Sequence, residues 1–201
     1  MGEIVVRPAE RSDLPSLADA LAAAFGQDPF MRFLVPGDGY HRRLTALFAF
    51  ESVLIIRGTW VAVDDGEISG AALWSQPGQH SPGFFPSVRH SPKLFRAFGR
   101  ALPSALRHFR IIEGAHPKTP PHWYLQTIGA ARPGRGVGGR LLRDGLARVD
   151  AARMPAYLES SAPDNVPIYE HYGFRVTGEI RLPGGPVLIP MWRDPQVTQS
   201  R

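Results

Sequence analysis

The sequence predicts an α/β or α+β fold in which helices cover the faces of one sheet. Strand-like and helix-like segments follow one another in the order strand, helices, three strands, helix, strand, helix and two strands. Within this order, residues 122–160 form a continuous unit of strand, glycine-rich turn, helix and strand. At 201 residues, the chain is long enough for one domain with a sizeable core.

The N-terminal part of the chain combines a short strand with two helices. The segment "EIVVRPA" is typical of a strand that ends at Pro8, and the helix "SDLPSLADALAAAF" follows, with Ser12 or Asp13 as its cap. Residues 26–39 have an apolar centre, and the Pro and Gly residues on both sides of it interrupt regular secondary structure. A second helix is expected over residues 40–56.

The middle of the chain holds a hairpin, an irregular region and a second strand–helix pair. The segment "TWVAVDDGEISGAALW" predicts a hairpin around Asp64-Asp65-Gly66. Residues 75–121 are rich in Pro, Gly, Ser and His, with a helix near 92–110, and we interpret them as an elaboration within the domain. The segment "HWYLQTIGA" is strand-like. The helix over residues 136–151 has an apolar stripe formed by Val137, Leu141, Leu142, Leu146 and Val149.

The C-terminal part returns to strands. The segment "PAYLES" is a strand, and "DNVPIYEHYG" is a short helix that Asp164 or Asn165 caps and Gly173 closes. The segments "FRVTGEIRL" and "GPVLIPMWR" predict a final antiparallel pair. Residues 1–194 are therefore expected to form a single domain, followed by a flexible tail at 195–201.

Composition and charge narrow the function classes. The net charge is +5 and the pI is near 10.1, but the arginines are spread along the chain, which favours an anionic ligand over nucleic acid. The absence of cysteine excludes disulfides and thiolate chemistry. No apolar run reaches the roughly 18 residues of a membrane span. The N-terminus lacks a signal-peptide layout, so a cytoplasmic protein is expected, with no metal, membrane or nucleic-acid partner.

The stretch "RPGRGVGGR", residues 132–140, is the main candidate for a ligand site. The first turn of a helix leaves backbone N–H groups without partners, and glycines allow a phosphate to approach them closely. Four glycines supply this freedom and two arginines can add charge from the rim: Gly134, Gly136, Gly138, Gly139, Arg135 and Arg140.

Other interpretations of this turn remain open at this point. A P-loop should end in Gly-Lys-Ser/Thr, whereas this turn ends in Gly139-Arg140-Leu141. A dinucleotide-binding pattern can be forced onto "GRGVGG", but Asp150 lies within a predicted helix rather than at a strand end. A tight strand-to-helix turn that binds nothing is the third possibility.

Two linked motifs narrow the choice. The segment "GRGVGGRLL", followed by "LESSAPDNVPIYEHYGF", resembles the GCN5-related N-acetyltransferases, the GNAT family; in the second segment the matching residues are Asn165, Tyr169, Gly173 and Phe174. The resemblance covers residues 3–193. It implies a GNAT-type mixed, mostly antiparallel central sheet of about seven strands, flanked by helices on both faces. It also implies acetyl-CoA (coenzyme A) as the cofactor.

The resemblance assigns cofactor contacts to three segments. Ile128, Gly129 and Ala130 would pair with the pantetheine arm like an extra strand. The pyrophosphate would lie on the turn and helix start formed by Gly134, Arg135, Gly136, Val137, Gly138, Gly139 and Arg140. Asn165 would contact the arm or an ordered water.

One position departs from the family pattern. The family places Gln or Arg three residues before Gly136, where this chain has Pro133. Because proline has no N–H, one hydrogen bond to the pyrophosphate is expected to be lost. Arg132 or Arg135 can compensate through charge.

The chemistry of acetyl transfer suggests two catalytic residues. We predict Tyr169 as the general acid that protonates the departing thiolate, with Tyr172 as its rival, and Glu159 as the base. The alternatives are a packing tyrosine and a carboxylate paired with an arginine. His116 and His122 are further candidates for the base, although exposed loop histidines are the simpler interpretation.

The acceptor is expected to approach from the side opposite the cofactor arm. Residues 25–37 and 75–121 would form its walls, with aromatic side chains and one carboxylate as candidate contacts: Phe25, Phe30, Phe33, Trp74, Phe84, Phe85 and Asp28. The predicted activity is N-acetylation of a primary amine of a small molecule by direct attack in a ternary complex, in a monomer or homodimer. The alternatives are a protein lysine or N-terminal acetyltransferase and a CoA-binding sensor without turnover.

Overall fold

A computed structural model describes residues 3–78, 92–132 and 134–196, with the exception of the Lys93 side chain. Three predictions concern residues outside these ranges: the missing donor at Pro133, the aromatic contacts of Phe84 and Phe85, and most of the C-terminal tail. Among the described residues, no helix is both long and apolar enough to cross a bilayer.

The element order follows the predicted sequence of strands and helices. The first half contains β1 (Val5–Pro8), α1 (Leu14–Ala24), α2 (Pro29–Leu34), α3 (Tyr40–Leu54), β2 (Thr59–Asp64) and β3 (Glu67–Ser75). The second half contains α4 (Pro92–Phe98), α5 (Leu102–Ala115), β4 (Trp123–Ala130), α6 (Val137–Ala151), β5 (Ala156–Ser160), α7 (Val166–His171), β6 (Arg175–Val176), β7 (Ile180–Arg181) and β8 (Val187–Arg193).

Three regions differ from the sequence prediction. The single strand predicted over "FRVTGEIRL" is instead the two short strands β6 and β7, each of which pairs with β8. The broken segment at 26–39 contains the short helix α2, because Asp28 caps it and Pro29 fits its first turn. The single helix predicted near 92–110 is instead the pair α4 and α5. A 3-10 turn separates them where Gly99 takes a positive φ of 53°.

The strands form one mixed, mostly antiparallel sheet with helices on both faces, as predicted. The strand order is β1-β2-β3-β4-β5-β8-β6, and β7 pairs with β8 beside this path. Among the described strands, β4 and β5 form the one parallel pair. One core cluster packs α1, α3, α4 and α5 against the sheet, and the other contains the predicted apolar stripe of α6.

The parallel pair β4–β5 separates soon after it begins. Trp123 pairs with Ala156 and Tyr124 with Tyr157, and no further pair between these strands is formed in the described structure. On the other side of β4, Leu125 and Thr127 face consecutive residues of β3, so Gln126 is an extra, bulged residue. The edge of β4 beyond Tyr124 therefore borders an open gap on the β5 side.

The buried stripe of α6 gives a direct stability prediction. Val149→Ala removes two methyl groups from a fully buried position and should lower the free energy of unfolding by roughly 2 kcal/mol. Val53→Ala is the matched control, because Val53 is 45% exposed on α3, and it should change stability by less than about 0.5 kcal/mol. Denaturant unfolding measures both, and equal effects would contradict the assigned core.

Candidate active site

The gap between β4 and β5 opens into a cavity of the described structure. Its volume is about 960 Å³, and it runs from the start of α6 along the edge of β4 to α3 and α5. It brings together most of the predicted site residues: Phe25, Asp28, Phe30, Ile128, Gly129, Ala130, Gly138, Gly139, Glu159, Asn165 and Tyr169.

The edge of β4 forms one wall of the cavity. Ile128, Gly129 and Ala130 pair with β3 on one side, while the other side faces the gap. Backbone N–H and C=O groups on such an edge are available to an extended chain. Gly129 is required by close packing, because a Cβ there would lie 2.8 Å from the Cβ of Ala24 on α1. The edge can therefore accept an extended ligand like an added strand.

The glycine turn lies at the N-terminal end of α6. Gly134 and Gly136 have positive φ values of 82° and 76°, and Gly136 is the N-cap residue of the helix. A Cβ at Gly138 would meet no atom within 4 Å, so the space above the helix start is open. Val137 is buried and fixes the helix to the core. The free N–H groups and the positive end of the helix dipole suit an anion at this point.

The arginines of the turn have other partners. Arg135 donates to Asp64 at 2.8 Å and lies 3.4 Å from Asp65, both at the β2–β3 turn. These carboxylates, Asp64 first, raise the pKa of Arg135. Arg132 lies 3.7 Å from Glu67, and Arg140 is exposed and does not line the cavity. Arg132 and Arg135 therefore pair with carboxylates of the β2–β3 hairpin. The turn presents mainly backbone N–H groups to a ligand.

Tyr169 and Asn165 lie on one side of α7 and face the cavity, as their spacing predicts. Asn165 occupies the N-cap position of α7 without a side-chain cap hydrogen bond. The ring of Tyr169 packs on Phe174 with centroids 6.0 Å apart. Burial, and secondarily the charge of Asp28, raises the pKa of Tyr169 to about 12. Its hydroxyl is thus a proton donor that stays protonated at neutral pH. The rival Tyr172 instead contacts Arg143 and the carbonyl of Gly139.

Asp28 joins two walls of the cavity. Its Oδ1 accepts from the N–H of Met31 at 2.8 Å, and its Oδ2 accepts from the Ser161 hydroxyl just after β5. The carboxylate is partly buried and borders the cavity. The residue predicted to attract the acceptor therefore also holds α2 against the end of β5.

Two of the predicted aromatic contacts line the cavity and two do not. Phe25 and Phe30 are lining residues. Trp74 is 2% exposed on the opposite face of the sheet, against Gly145 of α6, so the prediction that it contacts the acceptor is wrong. The cause is the alternation of β3, which directs Leu73 to one core cluster and Trp74 to the other. Phe33 packs against His108 and Gly185 instead.

Glu159 is a buried carboxylate at the wall of the cavity. Its side chain is 6% exposed, and its ion-pair contact is with His116, whose Nδ1 lies 3.5 Å from Oε1. An arginine partner, the alternative interpretation, is not found among the described residues. Burial first, and then the charge of Glu159, raises the pKa values of Tyr124 and Tyr157. Both phenols therefore remain neutral beside the carboxylate.

The two histidines before β4 are buried, so their interpretation as exposed loop residues is wrong. The side chain of His116 is 8% exposed, and its ring lies between those of Tyr124 and Tyr157, at 4.7 and 4.9 Å. His122 is also buried, and burial lowers its pKa. The cause is α5, which continues to Ala115 and brings the following loop against the start of β4.

Glu51 is a site residue that the sequence analysis missed. It lies on α3, is 5% exposed and borders the cavity, where the Thr127 hydroxyl donates to its Oε2 at 3.3 Å. Burial raises its pKa to about 7. The sequence pattern that could have indicated Glu51 is its position on the same helix face as Leu47 and Phe48. An apolar residue is expected on that buried face.

The chain resembles known N-acetyltransferases over almost its full length. It is 26% identical over 209 residues to an uncharacterized N-acetyltransferase of Schizosaccharomyces pombe, covering 96% of this chain and 83% of that protein. A crystal structure described as histone acetyltransferase HPA2 and related acetyltransferase, from Corynebacterium glutamicum, is 30% identical with a TM-score of 0.72, and both chains are covered completely.

A third similar protein shares the fold at lower identity. The polyamine N-acetyltransferase of Drosophila melanogaster, an enzyme that forms N-acetylagmatine, is 16% identical with a TM-score of 0.67, covering 96% of this chain and 100% of that one. None of the protein-family models matches this sequence.

The buried Glu51 predicts a pH-dependent stability. Its folded pKa of about 7 exceeds the unfolded value of about 4.3, so the unfolded chain ionises first as pH rises. As the pH rises from 4.5 to 7, the free energy of unfolding of wild type should fall by on the order of 2–3 kcal/mol compared with that of Glu51→Gln. Denaturant unfolding at pH 5 and pH 8 tests this, with Glu170→Gln, at an exposed position, as control. A difference between wild type and Glu51→Gln that does not change with pH would contradict the assignment.

Proposed function

We propose that this chain, which belongs to the GCN5-related N-acetyltransferase family, transfers the acetyl group of acetyl-CoA to a primary amine of a small molecule. The observation that carries the proposal is the continuous cavity. It connects the glycine turn and the free edge of β4 with a compartment that contains Glu51 and Glu159. A donor and an acceptor bound at its two ends would meet in the gap between β4 and β5, which suits direct attack in a ternary complex.

The residues present fit coenzyme A. The pantetheine arm can pair with the backbone of Ile128, Gly129 and Ala130, which faces the gap. The pyrophosphate can accept hydrogen bonds from the N–H groups at the start of α6, where Gly138 and Gly139 border the cavity and Gly138 leaves open space. Asn165 borders the same path.

When bound, acetyl-CoA supplies an activated acetyl thioester. A backbone N–H at the edge of β4 would polarise its carbonyl. As the C–N bond forms and the C–S bond breaks, an ammonium acceptor gives up two protons: one goes to Glu159 and the other ends on the departing sulfur. Tyr169 supports the second step by donating a hydrogen bond to the sulfur. Its pKa of about 12 keeps the hydroxyl protonated until charge develops there.

The lining of the acceptor compartment indicates a cationic, partly apolar amine. Phe25 and Phe30 supply aromatic surface, while Asp28, Glu51 and Glu159 supply carboxylates. The chain as a whole has a net charge of +5, but these carboxylates make the compartment locally negative. A negative compartment attracts a cation.

Sequence likeness supports the same class of acceptor. The segments "WVAVDDG", "YLQTIGA" and "LESSAPDNVPIYEHYGF" resemble puromycin N-acetyltransferase in the same order. The polyamine acetyltransferase of Drosophila also acts on a small amine. The Corynebacterium structure is described as a histone acetyltransferase and related acetyltransferase. A lysine of a protein is therefore the second candidate acceptor.

Release of free thiol from acetyl-CoA separates the candidate functions. We expect turnover with small amphipathic amines or diamines, and slower turnover with lysine peptides or peptide N-termini. A preference for peptides would favour the protein acetyltransferase. Tight acetyl-CoA binding without thiol release for any amine or peptide would leave a CoA-binding sensor.

The role of Tyr169 predicts a selective loss of turnover. Tyr169→Phe should lower kcat by about 10- to 100-fold while the Kd for acetyl-CoA stays within about twofold, because only the hydroxyl is lost. Tyr172→Phe is the matched control on the same segment, since its hydroxyl contacts Arg143 rather than the cavity. An unchanged rate for Tyr169→Phe would remove this hydroxyl from the mechanism.

The turn predicts a selective loss of cofactor binding. Gly138→Leu places a side chain in the open space at the start of α6, so the Kd for acetyl-CoA should rise at least about tenfold without loss of thermal stability. Gly114→Leu is the control, because Gly114 is a helical glycine with equally open surroundings away from the cavity. Calorimetric titration measures both, and equal affinities would show that CoA binds elsewhere.

A further inference from the structure

The wall of the cavity carries an excess of negative charge. Among the described residues that border it, none is a lysine or an arginine, and five are acidic: Asp28, Glu51, Glu113, Glu159 and Asp164. This contrasts with the net charge of +5 for the whole chain. No group of three acidic or histidine side chains in the described part of the chain is arranged to hold a metal ion. An organic ligand with more than one positive charge therefore suits this wall.

The acetyl transfer proposed above gives Glu51 no chemical role, although this carboxylate borders the cavity. Glu51 lies on α3 and is 5% exposed. Within the described ranges, its one hydrogen-bonding partner is the Thr127 hydroxyl, which donates to Oε2 at 3.3 Å. An ionised carboxylate offers about four acceptor sites, so most of this capacity is open to a ligand. A buried carboxylate with so few donors is costly, and a cationic N–H donor in the cavity would offset that cost.

The other acidic residues of the wall are less suited to bind a cation in place of Glu51. Each carboxylate oxygen of Asp28 already accepts a hydrogen bond within the protein, and one of these bonds caps α2. Asp164 is exposed and Glu113 is half-buried, so solvent screens their charges more strongly. Apart from Glu159, the proposed base, Glu51 is therefore the buried carboxylate of the described wall.

Glu51 and Glu159 lie within the span of one small molecule. Thr127, the partner of Glu51, is three positions from Tyr124 on β4, which corresponds to at most roughly 10 Å. Burial raises the pKa of Tyr124, and the charge of Glu159 and, to a smaller extent, that of Glu51 raise it further. Both carboxylates therefore act on the same phenol. Oε1 of Glu159 is also buried without a hydrogen-bond partner in the described structure.

We propose that Glu51 recognises a second positive charge on the acceptor, and that the acceptor class is a short aliphatic diamine. One nitrogen reacts beside Glu159, and the other binds to the carboxylate of Glu51 as an ammonium. The aromatic side chains of Phe25 and Phe30, which border the same cavity, can cover the methylene groups between them. This inference rests on the proposed function, because it assigns the acceptor of that reaction.

The first test compares two amines of equal size. Putrescine and n-pentylamine have the same number of non-hydrogen atoms, but only putrescine has a second ammonium. At pH 8 Glu51 is mostly ionised, because its pKa is about 7, and aliphatic amines remain protonated. The kcat/KM of wild type should be at least about tenfold higher for putrescine. Glu51→Gln should lower this ratio about tenfold, mainly through the KM for putrescine, because glutamine keeps the shape but not the charge.

The matched control is Glu170→Gln. Glu170 is exposed on α7 and does not border the cavity, so this variant changes the net charge by the same amount away from the site. Its ratio for the two amines should stay within about twofold of wild type. Equal kcat/KM values for the two amines in wild type, or an unchanged ratio in Glu51→Gln, would overturn the proposal even though the enzyme is active.

The second test measures binding without turnover. Both amines are titrated calorimetrically at pH 8 into protein that contains saturating coenzyme A, which has no acetyl group to transfer. The Kd of wild type should be at least about tenfold lower for putrescine than for n-pentylamine, and Glu51→Gln should remove most of this difference.

Failure of the inference and failure of the proposed function are distinguishable. Absence of thiol release with every amine and peptide would overturn the proposed function, and the assignment of the acceptor with it. Putrescine that binds wild type no more tightly than n-pentylamine, or that binds Glu51→Gln as tightly as wild type, would overturn the role of Glu51 whether or not acetyl transfer occurs.

Discussion

The separation of β4 from β5 after two residue pairs is the constraint on which the rest of the site depends. If the strands remained paired, the backbone of residues 128–130 would be satisfied by β5 and no gap would exist. The bulge at Gln126 accompanies this separation and lets Tyr124 and Thr127 face the same side of the sheet, towards Glu159 and Glu51. One irregularity of the sheet thus creates both the edge proposed for the cofactor and the compartment proposed for the acceptor.

The buried carboxylates of this compartment are costly for the isolated protein. Glu51 and Glu159 are each about 95% removed from solvent, and a carboxylate in such a position is stable only if it is protonated, paired or hydrogen-bonded. Here Thr127 and His116 provide part of that compensation. Under the proposed function, a cationic acceptor would provide the rest, and the cost of burying these carboxylates would favour the binding of an amine.

The sequence predicted the parts of the site that local pattern determines. The spacing of glycines before α6, the stripe of that helix and the interval from Asn165 to Tyr169 are short-range features, and the structure places them as expected. The features that were missed depend on contacts distant in sequence. Glu51 meets Thr127 across 76 positions, and Arg135 meets Asp64 across 71. Trp74 was misassigned because strand alternation, rather than residue type, decides its face.

Amide hydrogen exchange with and without coenzyme A is the most direct test of the cofactor position proposed for the edge of β4. We expect slower exchange at those amides of residues 126–130 that face the gap and at the first turn of α6, with no change at β1 on the far edge of the sheet. Coenzyme A that binds without protecting either segment would contradict the placement of the cofactor and, with it, the proposed acetyl transfer in this gap.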